Sequence, residues 1–267
     1  LPSSIFILPV IAELGLPIVS HGVFSVGPKY GCTHHLTLKE LGYNSNNDHQ
    51  EIVERLENKD IGWAYADQSM FNPKLHNLMS LRKQIIKRPV ITTVEVLVKP
   101  VSSKNDMFFT GFVHKPYPPI YLELSRNAQF NSATVIRGTE GGIIPSLRQT
   151  GKVHFYHSAG EQNDYYDVTP EDLGIVQSSR AVDIPEEITR KNTKDKIESK
   201  VDAVDIAKET IKSGTSALSG NDGPMLSCIQ LGAAIILQRA TGNDLGNCSK
   251  EVLRVLKSRA ALKRMKR

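Results

Sequence analysis

The sequence predicts an α/β fold, with a mainly parallel central sheet flanked by helices. Three observations lead there. Short apolar strand candidates alternate with helical patterns along most of the chain. One of those strands runs through His21-Gly22 into a loop holding Gly27, Lys29 and Gly31, which opens a helix. Residues 223–241 read as a helix that is apolar almost all round, and such a helix belongs in a buried, central position.

The elements follow in order. The opening run LPSSIFILPVIAELGLPIV is interrupted by Pro2, Pro9, Glu13 and Pro17, and it lacks the basic start of a signal peptide. It reads as a buried helix and a strand rather than a membrane span. It has no initiator methionine and begins on core-like residues, so the chain is expected to be a fragment that lost its N-terminus. Strands are expected at 16–19, 61–64, 90–98, 107–113, 133–136, 152–156 and 165–168. A helix over 73–86 places Leu75, Leu78, Met79, Leu81 and Ile85 on one stripe, with Pro73 suited to its first turn. A second helix, over 199–213, carries Val201, Val204, Ile206 and Ile211 and is expected to stop at Gly214. The polar, charged run 185–200 separates an α/β part (1–184) from C-terminal helices (201–267) as a linker or surface excursion. Of the latter, 201–241 should pack on the α/β part and 248–267 should form a basic helix.

Composition narrows the classes of function. With 267 residues, of which 40% are hydrophobic, the chain can build one large domain or two modest ones. No apolar run reaches membrane-spanning length, so no membrane partner is expected. Cys32, Cys228 and Cys248 show no paired spacing, which points to reduced thiols and a cytoplasmic protein. The net charge of +5 is unevenly placed, because residues 250–267 hold eight Lys/Arg against one Glu. The basic balance belongs largely to the last helix. Arg254, Lys257, Arg259, Lys263 and Arg264 form either a solubilising helix or a surface for phosphate backbones, whose affinity counterion release would set. Arg82, Lys83, Lys87 and Arg88 make a second basic cluster. Aromatics are 6% of the chain, so a dense stacking platform is not expected. The adjacent His34-His35 are poorly placed to share a metal, and no GxSxG pattern marks a hydrolase. Glu171 and Asp172 read either as functional carboxylates or as turn- or helix-capping acids, the commoner role of a TPED sequence.

The motifs then fall into a known order. Ser20-His21-Gly22, Lys29, Ile61-Gly62-Trp63-Ala64-Tyr65-Ala66, Asn72-Pro73-Lys74-Leu75 through Leu81-Arg82-Lys83, and Thr169-Pro170-Glu171-Asp172-Leu173-Gly174 succeed one another, and Gly223-Pro224 leads to Leu231-Gly232-Ala233-Ala234. In this the chain resembles the anthranilate phosphoribosyltransferase family, over most of its length. The resemblance implies a phosphoribosyltransferase- or nucleoside-phosphorylase-like body, with the N-terminal helical domain and the diphosphate loop missing ahead of Leu1. An exposed apolar patch is expected where those helices would pack.

The departures matter too. Ser20 stands where the family has a lysine and Val23 where it has an asparagine. Glu95-Val96-Leu97-Val98-Lys99-Pro100 replaces a Gly-Pro-Leu-x-Asn-Pro segment, and the magnesium-holding acid pair keeps at most Glu140. Replacing a phosphate-facing lysine by serine removes a charge-assisted contact worth about 1.5–3 kcal/mol. Together these losses predict a scaffold without the transfer chemistry, and IRGTEGG (136–142) most resembles the family's non-catalytic bacterial subfamily. That likeness implies a homodimer that binds nucleic acid, single-stranded or duplex, without a cofactor. Lys29, Arg82, Lys83, Lys87, Arg88 and the tail cations would hold phosphates, with little sequence specificity. The alternative is a divergent magnesium-dependent phosphoribosyltransferase or a related nucleoside phosphorylase, with His21, Gly22 and Lys29 on phosphate or ribose, Arg82 on the acceptor and Glu140 on the metal. A paralogue acting through protein–protein association is the third reading.

Overall fold

The computed structural model of the chain describes residues 1–24, 29–85, 90–139, 142–190 and 201–267. Its six strands are β1 (Ile18–Gly22), β2 (Trp63–Asp67), β3 (Met107–Phe112), β4 (Ser132–Arg137), β5 (Gly151–Tyr156) and β6 (Asp164–Val168). The helices of the first half are α1 (Ile7–Glu13), α2 (His34–Glu40), α3 (His49–Glu57), α4 (Gln68–Phe71), α5 (Pro73–His76), α6 (Met79–Gln84) and α7 (Ile91–Val94). Those of the second half are α8 (Tyr117–Asn127), α9 (Glu186–Arg190), α10 (Ala203–Leu218), α11 (Pro224–Thr241), α12 (Leu245–Ser258) and α13 (Ala260–Met265).

The α/β class stands as the sequence indicates, but the strands do not form one mainly parallel sheet. β1 and β2 make a parallel pair of their own. The other four run in the order β3-β4-β5-β6, with β3–β4 parallel and the β4–β5 and β5–β6 pairs antiparallel. The reason is connection length. β3 and β4 are bridged by α8, as a parallel pair requires, whereas β5 and β6 are joined by a loop too short for a crossover and so must turn back.

The largest of four hydrophobic clusters among the described residues draws on both ends of the chain, and a second packs beneath α8. α11 lies at the centre of the largest, with Ile229, Leu231, Ala233, Ala234 and Ile235 fully buried, and α1 packs against it through Ile7, Val10 and Ile11. The opening run is therefore the buried helix its composition indicates. The C-terminal segment joins the same core through Val252, Leu256, Ala261 and Met265. It is not one basic helix over 248–267. Arg259 sits at φ +63° and breaks it into α12 and α13, so that α13 folds back onto α1.

Three further expectations change. The β-branched run 90–98 is not a strand. It coils into α7 and a 3-10 turn over Glu95–Leu97, with Thr93 N–H donating to the Val90 carbonyl at 2.8 Å. Strand propensity describes how side chains suit a pleated surface, and among the described residues this segment has no neighbouring strand to pair with. The helix expected over 73–86 is two pieces, α5 and α6. Its apolar stripe stays exposed at Leu78, Leu81 and Ile85, beside Met70, Val90 and Val94. Finally, α10 runs through Gly214 to Leu218. A Cβ at Gly214 would lie 2.1 Å from Phe6 Cζ, so this glycine admits a buried ring to the helix surface rather than ending the helix. Of the 185–200 excursion, 186–190 form α9 and 191–200 lie outside the described residues.

Candidate functional site

The carboxyl ends of β1 and β2 lie side by side, with Gly22 in register with Asp67. Strand ends of this kind are where α/β proteins place ligands. β1 carries Ser20, His21 and Gly22 to this edge. The imidazole of His21 is fixed there by a 3.3 Å contact from Nε2 to the Val96 carbonyl and by edge-on packing on Phe71. Burial lowers its pKa, against the pull of that carbonyl, so His21 is neutral at pH 7.

Ser20 and Ser4 both bond to His34, the first residue of α2. Ser4 Oγ lies 2.7 Å from Nε2 and Ser20 Oγ lies 3.2 Å from Nδ1. A polar chain thus occupies the ground where the family resemblance implies a lysine. His35 points elsewhere. Its Nε2 is 3.0 Å from Ser45 Oγ and its Nδ1 is 3.6 Å from the buried Asp67 carboxylate. Burial first, and Lys39 second, lower the His35 pKa, while Asp67 opposes them. These contacts place the two histidines in different networks. A cavity of about 540 Å³ opens beside Ser3, Ser4, Tyr30, Thr139, Arg180 and Asp183. Within it, the Thr139 hydroxyl is buried without a hydrogen-bond partner.

Arg82, on α6, meets Glu95 directly. Its Nη1 is 2.5 Å from Oε1 and 2.7 Å from Oε2, with side chains only 11% and 16% exposed. Burial raises the Glu95 pKa and the Arg82 cation pulls it back down. The pairing arises because 90–98 coils instead of extending, which turns Glu95 toward α6. The partner was concealed in the sequence, although one signal pointed to it: a glutamate at the head of a segment where the family has glycine.

The expected cationic residues divide by environment. Lys257 is held by Asp222 (2.7 Å) and the Gly220 carbonyl (2.8 Å). Arg259 donates to the Ser219 carbonyl. Arg264 is tied to Glu13 at 2.7 Å and to the carbonyls of Lys59 and Ile61. These three join helices together. Arg254 remains 74% exposed, 4.0 Å from Glu251, and Lys263 is exposed with no ion pair among the described residues. Lys87, Arg88 and Glu140 lie outside the described residues, as do the side chains of Lys29 and Lys83.

No three His, Cys, Asp or Glu side chains converge on a metal position among the described residues. Glu140, the acid that the family resemblance implies for magnesium, lies outside them. No described helix is long and apolar enough to cross a membrane. All three cysteines are buried, and none is in a disulfide. The TPEDLG segment forms a turn. Pro170–Leu173 form a 3-10 turn, Gly174 ends it at φ +72°, and Ile175 enters the core.

Comparisons with known proteins agree on the framework. The family model described as "Glycosyl transferase family, a/b domain" matches residues 4–183. An uncharacterized protein of Aquifex aeolicus is 30% identical over 146 residues, covering 53% of this chain and 41% of its own. An anthranilate phosphoribosyltransferase of Novosphingobium aromaticivorans is 25% identical over 170 residues, covering 64% of this chain and 49% of its own. The chain thus spans about half the length of the curated relatives it matches. Among solved structures, the anthranilate phosphoribosyltransferase of Thermus thermophilus superposes with a TM-score of 0.73 at 16% identity, covering 98% of this chain and 70% of that one. The Saccharomyces cerevisiae enzyme in complex with PRPP and Mg gives 0.71 at 16% identity, covering 99% and 67%. At that identity the likeness establishes the fold.

Proposed function

The chain belongs to the glycosyl transferase family through its a/b domain, and from that premise we propose a protein that keeps an anthranilate phosphoribosyltransferase-like body, no longer performs the transfer, and binds nucleic acid through cationic surfaces, largely independently of sequence. The observation that carries the first half is the Arg82–Glu95 pair. An arginine that would face an acceptor carboxylate is already neutralised by a carboxylate of its own chain. An incoming aromatic acid would have to displace Glu95 and leave that buried carboxylate unpaired, which costs several kcal/mol. The Ser4–His34–Ser20 chain supports the same reading, because hydroxyls and an imidazole stand where a fixed ammonium would neutralise diphosphate.

The second half rests on the solvent face of α12 and α13, where Lys250, Arg254, Lys263 and Lys266 are exposed. Such a face offers charge without a base-reading motif, so it favours phosphate backbones over particular bases. The test is fluorescence anisotropy with a labelled single strand and a labelled duplex over a salt series. Point substitutions are the right probe, since removing 250–267 would strip Val252, Leu256, Ala261 and Met265 from the core. Arg254→Ala with Lys263→Ala should lower the slope of log K against log salt by about 1.5–2. Affinity that stays flat with salt overturns nucleic-acid binding. Turnover of phosphoribosyl diphosphate with anthranilate overturns the loss of transfer.

A further inference from the structure

The four-stranded sheet covers its two faces unequally. Cross-strand register fixes which residues share a face. Phe112, Arg137, Lys152 and Asp167 form one row, and Thr110, Val135, His154 and Tyr165 form the next. On the opposite face, Tyr166 is bonded to α11 through Gln238 at 2.9 Å, and Phe155 lies under the Arg239 guanidinium. On the first face α8 covers the β3 and β4 side, where Tyr121, Leu122, Phe112 and Val135 share one buried cluster, and Arg126 lies over the Tyr156 ring. It leaves the β5 and β6 ends of the two rows open, with Lys152 and His154 half-buried and Tyr165 and Asp167 exposed, whereas Phe112, Thr110 and Val135 are buried.

What those rows present is specific. Tyr165 is 56% exposed. The His154 ring lies beside it at 5.5 Å between centroids, tilted by 36°, and Phe112 backs His154 edge-on at 5.6 Å. Lys152 sits 4.2 Å from the Tyr165 ring centroid, and Arg137 is exposed at the end of β4. Asp167, the acid of the open rows, is paired with Lys152 at 3.0 Å. Burial and the Lys152 charge lower the His154 pKa against Asp167, so the imidazole is a neutral aromatic ring at pH 7. Adjacent aromatic rings on an open sheet face, flanked by cations, match the chemistry of unpaired bases. Rings stack on the π-faces of bases whatever their identity, and the cations take up the phosphates between them.

We propose that the open face of β5 and β6 is a stacking platform for single-stranded nucleic acid, with Tyr165 and His154 receiving bases and Lys152 and Arg137 holding the adjoining phosphates. This rests on the nucleic-acid reading above and assigns single strands their own surface, distinct from the cationic face of α12 and α13. Duplexes, whose bases are already stacked, gain nothing from it.

The experiment titrates the full chain with a labelled oligothymidylate and, separately, a labelled hairpin duplex. Tyr165→Ala should weaken oligothymidylate binding by about 10-fold and leave the duplex unchanged. Tyr165→Phe, which keeps the ring, should bind like the parent. Asp167→Asn should tighten the single strand, since it removes the repelling carboxylate. The His154 ring protons should shift upfield when the oligothymidylate is added, as protons over a base do. Tyr165 is mostly in solvent, so an unchanged melting temperature will confirm that the alanine variant is folded. A parent that binds both probes, with Tyr165→Ala binding oligothymidylate equally well, overturns the platform alone. So does an equal loss for strand and duplex. A parent that binds neither probe at low salt overturns the platform and the nucleic-acid reading together.

Discussion

Glu95 sets the state in which Arg82 meets a ligand. It places a carboxylate against Arg82 with little solvent access, so the arginine is occupied before any ligand arrives. Glu95→Gln should release the guanidinium, and isothermal titration with benzoate should then show binding that the parent lacks. Benzoate binding to the parent with equal strength would sink the idea that Glu95 blocks the site. Asp106 gives a pH prediction at the same scale. Burial alone would raise its pKa, but hydrogen bonds from Lys99 and from the Ser103 hydroxyl and amide outweigh that and hold it below the ordinary value of 3.8. A depressed carboxylate stabilises the fold above the unfolded pKa, and that stability is lost as pH falls through the folded one. Asp106→Asn should therefore melt below the parent at neutral pH, with the gap closing as pH drops below about 3.8. A gap that persists undiminished in acid would mean the charge is not what counts. Gly214 reverses a helix rule. Glycine to alanine inside a helix ordinarily gains about 1 kcal/mol. Here the added methyl meets the Phe6 ring, so Gly214→Ala should cost about 1–3 kcal/mol in urea unfolding.

Among elements, the strands lining the core were the most legible in the sequence. 107–113, 133–136, 152–156 and 165–168 correspond to β3 to β6 within a residue or two, because alternating and β-branched residues there face a packed interior on at least one side. The same cue misled at 90–98, where the pattern is equally β-branched but no described strand lies alongside to pair with it. The site was less legible for the same reason. Its histidine and arginine stand out as residue types, while Glu95, Val96 and Ser4 reach them only because remote elements fold onto each other. The C-terminal cations show how a charge count can mislead about role. Arg264 links α13 to Glu13 at the end of α1 and to two carbonyls ahead of β2. Arg264→Ala should cost about 1.5–3 kcal/mol, the range for hydrogen bonds to charged groups, and should leave nucleic-acid affinity nearly unchanged. A large fall in affinity with full stability would return Arg264 to the binding surface.

Across the whole molecule, the chain closes on itself. The one tryptophan reports that closure, since Trp63 is fully buried on β2, stacked on Tyr43, and donates its Nε1–H to the Arg264 carbonyl at 3.3 Å. A chain ending at Arg259 should therefore show red-shifted tryptophan emission, and unchanged emission would show that α13 is no part of the core. The sequence by itself determined the α/β class, the buried first helix, the central α11 and the family, since each rests on local periodicity or on a run of adjacent residues. Only the tertiary structure decided how the sheet divides, which cations face solvent, and that Arg82 is neutralised from within. Those outcomes depend on groups far apart in sequence meeting in a low-dielectric interior, where a partner's position, rather than its residue type, sets the energy.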